Sequence, residues 1–163
     1  MTSGIEFRAM NATDLEQVAA LAHRADPYGW SIRNFQDSLA CGHDIVLAVQ
    51  GGLVAGYAVT MQVFDEAELL EIAVEPRFQG IGIGRALLTL ALKKACQNAA
   101  RIMHLEVRIG NERARKMYGS AGFIKTGVRR GYYSGAHGRE DAVTMSCEIA
   151  KSPYLVAAVS DCG

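Results

Sequence analysis

Glu71-Ile72-Ala73-Val74-Glu75-Pro76-Arg77-Phe78-Gln79-Gly80-Ile81-Gly82-Ile83-Gly84-Arg85-Ala86-Leu87-Leu88 is the stretch on which the fold turns. Ile72 and Val74 favour a strand. Pro76 has no N–H to give to a ladder, and it biases Glu75 away from helix. Three glycines then alternate with isoleucines. After Gly84 the apolar residues fall at Ala86, Leu87, Leu88, Leu90 and Ala91, which is helical spacing. The stretch therefore reads strand, turn, glycine-rich loop, helix. Glycines at a helix entry let backbone come close to a ligand, and the first N–H groups of the helix point into the same space at the positive end of its dipole. Phosphate suits such a place. An isolated glycine triplet is more simply a tight turn, and this one fails two known fingerprints. It lacks the G-x-G-x-x-G spacing of a dinucleotide fold, and no Gly-Lys-Ser/Thr follows for a P-loop.

Outside this stretch the composition bounds the answer. At 163 residues, 50% of them hydrophobic and 21% charged, one folded globular domain is expected, with a body over 1–150 and a tail from 151 to 163. The formal charge is zero, so there is no general basic field for nucleic acid. No run approaches a membrane span, and no signal peptide opens the chain, so the reading is cytoplasmic. Cys41, Cys96, Cys147 and Cys162 form no C-x-x-C pair. They read as free thiols rather than a zinc site, and no metal is expected. His23, His43, His104 and His137 are scattered surface or packing residues.

Working along the chain, Ile5–Arg8 alternates as a short strand, and Thr13-Asp14-Leu15-Glu16 has the form of a capping box before a helix reaching about His23. Ser31 caps a second helix carrying Ile32, Phe35 and Leu39. Asp44–Gln50 and Leu53–Val63 form a hairpin about Gly51-Gly52, with Gly56 as a bulge. Strands 67–74 and 101–108 flank helix 84–97, a β-α-β unit whose strands should be parallel. Asn111 caps a helix with Ala114, Met117, Tyr118 and Ala121, and Gly122 suits its left-handed end. Phe123–Gly131 and Asp141–Ile149 form a last strand pair around a polar loop. The class is α/β (α+β): a single mixed sheet with helices on it.

Leu105-Glu106-Val107-Arg108 alternates, so Glu106 and Arg108 share one face. Alone, that is a half-solvated strand, and Tyr118 alone is a packing residue. Joined to the glycine loop they gain meaning, because ligands of such sheets gather at the carboxyl ends of parallel strands.

Gln79-x-x-Gly82-x-Gly84-Arg85, Leu105-Glu106-Val107-Arg108, Asn111, Tyr118, Ala121-Gly122-Phe123, Arg129-Arg130-Gly131-Tyr132-Tyr133 and Gly138-Arg139-Glu140-Asp141-Ala142 occur in one order and spacing. In these the chain resembles the GCN5-related N-acetyltransferases, and within them the ribosomal-protein N-alpha-acetyltransferases (RimI). The similarity runs from about Asp44 to Ile149, with Trp30-Ser31 and Phe35 resembling the loop between the first two helices. The resemblance implies a mostly antiparallel sheet whose parallel pair, 67–74 and 101–108, splays apart. It implies acetyl-CoA as co-substrate and a protein N-terminal amine as acceptor, by likeness the N-terminal alanine of a small-subunit ribosomal protein. The backbone of Ile72, Ala73 and Val74 would meet the pantetheine arm. Gln79, Gly80, Ile81, Gly82, Ile83, Gly84 and Arg85 would hold the pyrophosphate, and Asn111 would lie near the pantetheine. Glu106 matches the general base and Tyr118 the general acid. Trp30, Phe35, Tyr132 and Tyr133 match the acceptor walls, and Glu140 and Asp141 could draw a basic peptide. Gly80 departs from the pattern, since the subfamily usually has a basic residue there. A lysine-directed or small-amine acetyltransferase, or a CoA-binding sensor without turnover, are the other readings.

Overall fold

The computed structural model describes residues 4–156. Seven strands hydrogen-bond in the order β1-β2-β3-β4-β5-β7-β6. They are β1 Glu6–Ala9, β2 Asp44–Gln50, β3 Leu53–Val63, β4 Glu66–Val74, β5 Ile102–Arg108, β6 Ile124–Gly135 and β7 Gly138–Glu148. The helices are α1 Leu15–Ala25, α2 Ile32–Ala40, α3 Ile83–Gln97, α4 Glu112–Ser120 and α5 Pro153–Val156. The β4–β5 ladder is parallel, from Glu66↔Ile102 to Leu69↔Leu105, while the β1–β2, β2–β3, β5–β7 and β6–β7 ladders are antiparallel. The expected mixed, mostly antiparallel sheet with helices is therefore present. The chain falls into two compact units: residues up to Met61 with Leu70–Ala91, and Gln62–Leu69 with the chain from Leu92 on.

In the first unit, α1 buries Val18, Leu21 and Ala22 at spacings of three and one, and α2 buries Phe35. These meet Leu47, Tyr57 and Val59 in one apolar cluster. Fully burying one such side chain contributes about 1.5–3 kcal/mol. The entry to α1 differs from the expected box at Thr13–Glu16. Asn11 and Asp14 make the capping box, and a 3-10 turn, Ala12–Asp14, precedes the helix. The carboxylate of Asp14 also receives both Arg8 guanidinium nitrogens, at 2.8 and 2.9 Å.

The hairpin turns at Gly51 and Gly52 as read, both at positive φ. The bulge falls one residue earlier than expected: Ala48 faces Gly56 and Val49 faces Val54, so Ala55 is the extra residue. Its carbonyl accepts the Glu75 N–H at 2.8 Å. Gly56 has another task. A Cβ there would lie 3.0 Å from both the Ala73 carbonyl oxygen and Leu87 Cδ1, so glycine permits the end of β4 and helix α3 to close on β3.

In the second unit, β5 alternates: Met103, Leu105 and Val107 are buried, while His104, Glu106 and Arg108 are half-exposed on the other face. The β6–β7 hairpin is longer than the expected pair. The polar stretch read as a loop is strand on both arms, so Tyr132 and Tyr133 lie on β6 itself. Two register shifts hide this. Thr126 is extra between Lys125↔Met145 and Gly127↔Thr144, and Arg130, Gly131 and Tyr132 together stand opposite Asp141. Gly131 has φ 59 there, and its N–H donates to Asp141 Oδ1 at 2.8 Å.

The segment expected to begin a tail packs on α4. Ser152 Oγ donates to the Ala121 carbonyl at 2.5 Å, Tyr154 Oη lies 2.7 Å from Ser120 Oγ, and Leu155 is buried. Residues 157–163 of the expected tail lie outside the described residues. Of the expected free thiols, Cys41 is free and exposed and Cys147 free and buried, and Cys162 lies outside the described residues.

Candidate active site

The loop in the first unit is held from both sides. At its start, Arg24 of α1 clamps the buried Glu75, with Nη2–Oε2 at 2.6 Å and Nε 3.2 Å from each carboxylate oxygen. A 3-10 turn, Pro76–Phe78, follows, and Gln79 Nε2 then donates back to the Val74 carbonyl at 3.1 Å. Gly80 and Gly82 take φ 84 and 94, values that glycine alone adopts without strain. Gly82 also accepts the Ala86 N–H, starting α3, whose first N–H groups have no acceptor within the helix. Ile83 is buried and anchors the turn, while Gln79–Gly82 and Arg85 are exposed. Ile72, Ala73 and Val74 are half-exposed at the end of β4.

Trp30 is half-exposed, and its ring lies 5.0 Å from that of Phe35 in an edge-on contact. Phe35 is wholly buried between Trp30 and Tyr57. It is therefore no acceptor wall; it seats Trp30. Burial, and after it the charge of Glu71, keeps the Tyr57 hydroxyl protonated far above its ordinary range.

In the second unit the polar face carries Glu106. Its side chain is 17% exposed. It lines a concavity of about 220 Å³ with Glu68, His104, Thr126, Arg129 and Thr144 among others. Burial is the main force raising the Glu106 carboxyl above its ordinary value; Glu68 adds to it, while Arg129 and a hydrogen bond from Tyr132 pull the other way. A half-buried carboxylate pushed up in this way is better suited to take a proton than an exposed one. His104 bridges Glu66 Oε1 at 2.6 Å and Ser146 Oγ at 2.7 Å, a packing role on the same face.

Beyond Glu106, aromatic and charged groups alternate. Arg129 lies over the Tyr132 ring at 5.3 Å, Tyr132 meets Tyr133 edge-on at 4.9 Å, and Arg108 covers Tyr133 at 4.6 Å. Glu140 accepts from Arg108 at 3.4 Å and from the Gly110 N–H at 2.9 Å. Glu140, expected to face a basic peptide, is thus engaged by β5 and the turn after it, and Asp141 by Gly131 within the hairpin. Asn111 caps α4, its Oδ1 accepting the Ala114 N–H at 3.2 Å. Tyr118 is buried on that helix, 5.8 Å from the Phe123 ring. Burial pushes the Cys147 thiol up to about 11, which leaves it protonated and unsuited to act as a nucleophile. Among the described residues, no group of three His, Cys, Asp or Glu could hold a metal ion.

A glycine-cornered helix entry suits a phosphate-bearing ligand, and a carboxylate whose proton affinity burial has raised suits proton transfer, the two needs of a group-transfer enzyme. Residues 14–123 match the model of the Acetyltransferase (GNAT) family, and the chain belongs to that family. The [Ribosomal protein bS18]-alanine N-acetyltransferase of Escherichia coli K12 is 35% identical over 142 residues, 87% of this chain and 96% of its own. The N-alpha-acetyltransferase RimI of Mycobacterium tuberculosis is 36% identical over 155 residues, 88% and 92% of the two chains. The crystal structure of the Escherichia coli ribosomal-protein-S18-alanine N-acetyltransferase superposes with TM-score 0.84 at 34% identity, covering 89% of this chain and 94% of that one. The protein is an N-acetyltransferase whose co-substrate is acetyl-CoA. No described helix is long and apolar enough to cross a membrane.

Proposed function

We propose that the chain acetylates the N-terminal α-amine of a protein, with the N-terminal alanine of a small-subunit ribosomal protein as its acceptor. The observation that carries this reading is Glu106, a half-buried carboxylate with raised proton affinity on an open polar face. The names of the relatives support the acceptor. A cytoplasmic site of action follows from a ribosomal acceptor.

In this reading the phosphates of CoA lie against Gln79–Arg85, the pantetheine meets the main chain of Ile72–Val74 and the side of Asn111, and a backbone N–H near Val74 steadies the oxyanion. Such a donor is worth about 3 kcal/mol. The lack of a basic side chain at Gly80 leaves the phosphate contact to main-chain N–H groups. The acceptor amine attacks only when neutral. An α-amine, with an ordinary pKa of about 7.7–8.0, yields its proton more readily than lysine at about 10.4. Glu106 takes that proton, directly or through a water. The nitrogen attacks the thioester carbonyl and gives up its second proton to solvent, the C–S bond breaks, and Tyr118 protonates the departing thiolate. Trp30, Tyr132 and Tyr133 frame the acceptor.

The test is CoA release on three acceptor sets: N-terminal-alanine peptides with blocked lysines, the same peptides with blocked N-termini and free lysines, and small amines. Turnover confined to the first set is the expected result. Turnover confined to either of the others overturns the acceptor assignment.

A further inference from the structure

Glu106 meets a cation in the free protein. Its Oε2 is shut off from water and lies 2.9 Å from Arg129 Nε. The N–H is not aimed well enough for a hydrogen bond, so the contact is an ion pair without the directional strength of a bidentate one. The two partners differ in burial: the carboxylate is largely sheltered, while the arginine side chain is 59% exposed. Arg129 sits opposite Ala142, at the edge of the expansion that places Arg130, Gly131 and Tyr132 against one residue of β7. From there it reaches past Thr144, the partner of Glu106 on β7. The Tyr132 ring, 5.3 Å from its guanidinium, holds it at the same time by cation–π attraction.

We propose that Arg129 is a positioning residue, holding in the free enzyme the place beside Glu106 that the cationic amine of the acceptor takes during turnover. The inference rests on Glu106 being the base. An arriving ammonium exchanges with the guanidinium, which moves further out to solvent over the Tyr132 ring. The exchange does two things at once. It brings the amine to the carboxylate, and it removes the charge that opposes the rise in the carboxylate's proton affinity. The groups facing Glu106 are Glu68 from β4, Arg129 and Tyr132 from β6 and His104 on β5, with the uncharged Thr144 and Ser146 from β7. Once Arg129 leaves, burial and Glu68 both favour the protonated carboxyl. The ammonium N–H bond then breaks and an O–H bond forms on Glu106. The nitrogen keeps the electron pair with which it attacks the thioester.

The experiment is the pH profile of kcat/KM on an N-terminal-alanine peptide for the wild type, Arg129→Gln, Arg129→Ala, Arg129→Lys and Glu106→Gln. Acetyl-CoA binding is measured alongside by calorimetry. Two neutral replacements are made so that one misfolded variant does not end the test. Removing the cation destabilises the charged carboxylate, so the acid limb of both neutral variants should move up by about one pH unit. Arg129→Lys should return it towards the wild type, and acetyl-CoA affinity should not change. A merely structural role for Arg129 would lower activity at every pH without moving the limb. If Glu106→Gln abolishes turnover while the limb stays in place without the arginine, this proposal is overturned and the base stands. If Glu106→Gln turns over normally, the base assignment itself has failed, and this inference with it.

Discussion

The loop after β4 is shaped by main chain, and the polar face of the second unit by side chains. At the loop, Gly80 and Gly82 supply positive φ, the Val74 carbonyl accepts Gln79, and Gly56 lets Ala73 and Leu87 come close. On the polar face, Glu106, Arg129, Tyr132, Tyr133, Arg108 and Glu140 touch one another through carboxylates, guanidinia and rings. The contrast fits the two ligands each is assigned. A donor that never changes can be held by backbone, which substitutions other than at its glycines leave largely in place. An acceptor that must be chosen calls for side chains, and a proton-taking carboxylate calls for charges set against each other.

The contrast can be broken at either end. The largest effect is expected for Glu106→Gln, which should lower kcat/KM about 10²-fold or more while acetyl-CoA binding persists. Steady-state kinetics with calorimetry checks this; full activity would remove the side-chain end of the comparison. Gly56→Ala should cost about 1–3 kcal/mol of stability, read from the urea midpoint, because the Ala73 carbonyl and Leu87 must both give way. Gly82→Ala puts a side chain at φ 94. A strain of about 1–2 kcal/mol should weaken acetyl-CoA binding roughly tenfold, with little change in kcat at saturation. If kcat falls instead, the loop does more than hold the donor. Tyr118→Phe should slow turnover less than the loss of Glu106 does, since a thiolate is already a fair leaving group; unchanged turnover at every pH would remove Tyr118 from the chemistry.

The smallest effect is on stability against pH. The Glu106 carboxyl is raised in the folded state, so its favourable contribution is full below the ordinary carboxylate value and is lost as pH rises through the raised one. Glu106→Gln should therefore gain melting temperature relative to wild type as pH rises above the ordinary carboxylate value, with the curves converging at the acid end. A constant offset would mean that the carboxyl is not perturbed.

How much of this the sequence disclosed follows the same division. The loop, its helix and the β-α-β unit were legible because glycine, proline and helical spacing act locally. Asn111 as a cap and Gly122 as a left-handed end were legible for the same reason, and both are present. Phe35 was misjudged although its spacing with Ile32 and Leu39, which located α2, already turned it inward. Arg129 was passed over as one of two adjacent arginines. Nothing local says that it reaches Glu106, because that contact depends on a register set across β7. Tyr132 and Tyr133 looked like loop because the serine, glycines and histidine near them mask a strand.

The expansion at Arg130–Tyr132 has a consequence for how this hairpin can vary in length. Three residues against one add two to β6, an even number, and side chains alternate in twos. Everything beyond the expansion, from Tyr133 to the hairpin turn, therefore keeps its face. Deleting one residue there would invert that whole arm, sending Tyr133 away from Arg108, whereas deleting two would only straighten the strand. Natural or engineered changes to this arm should come in pairs.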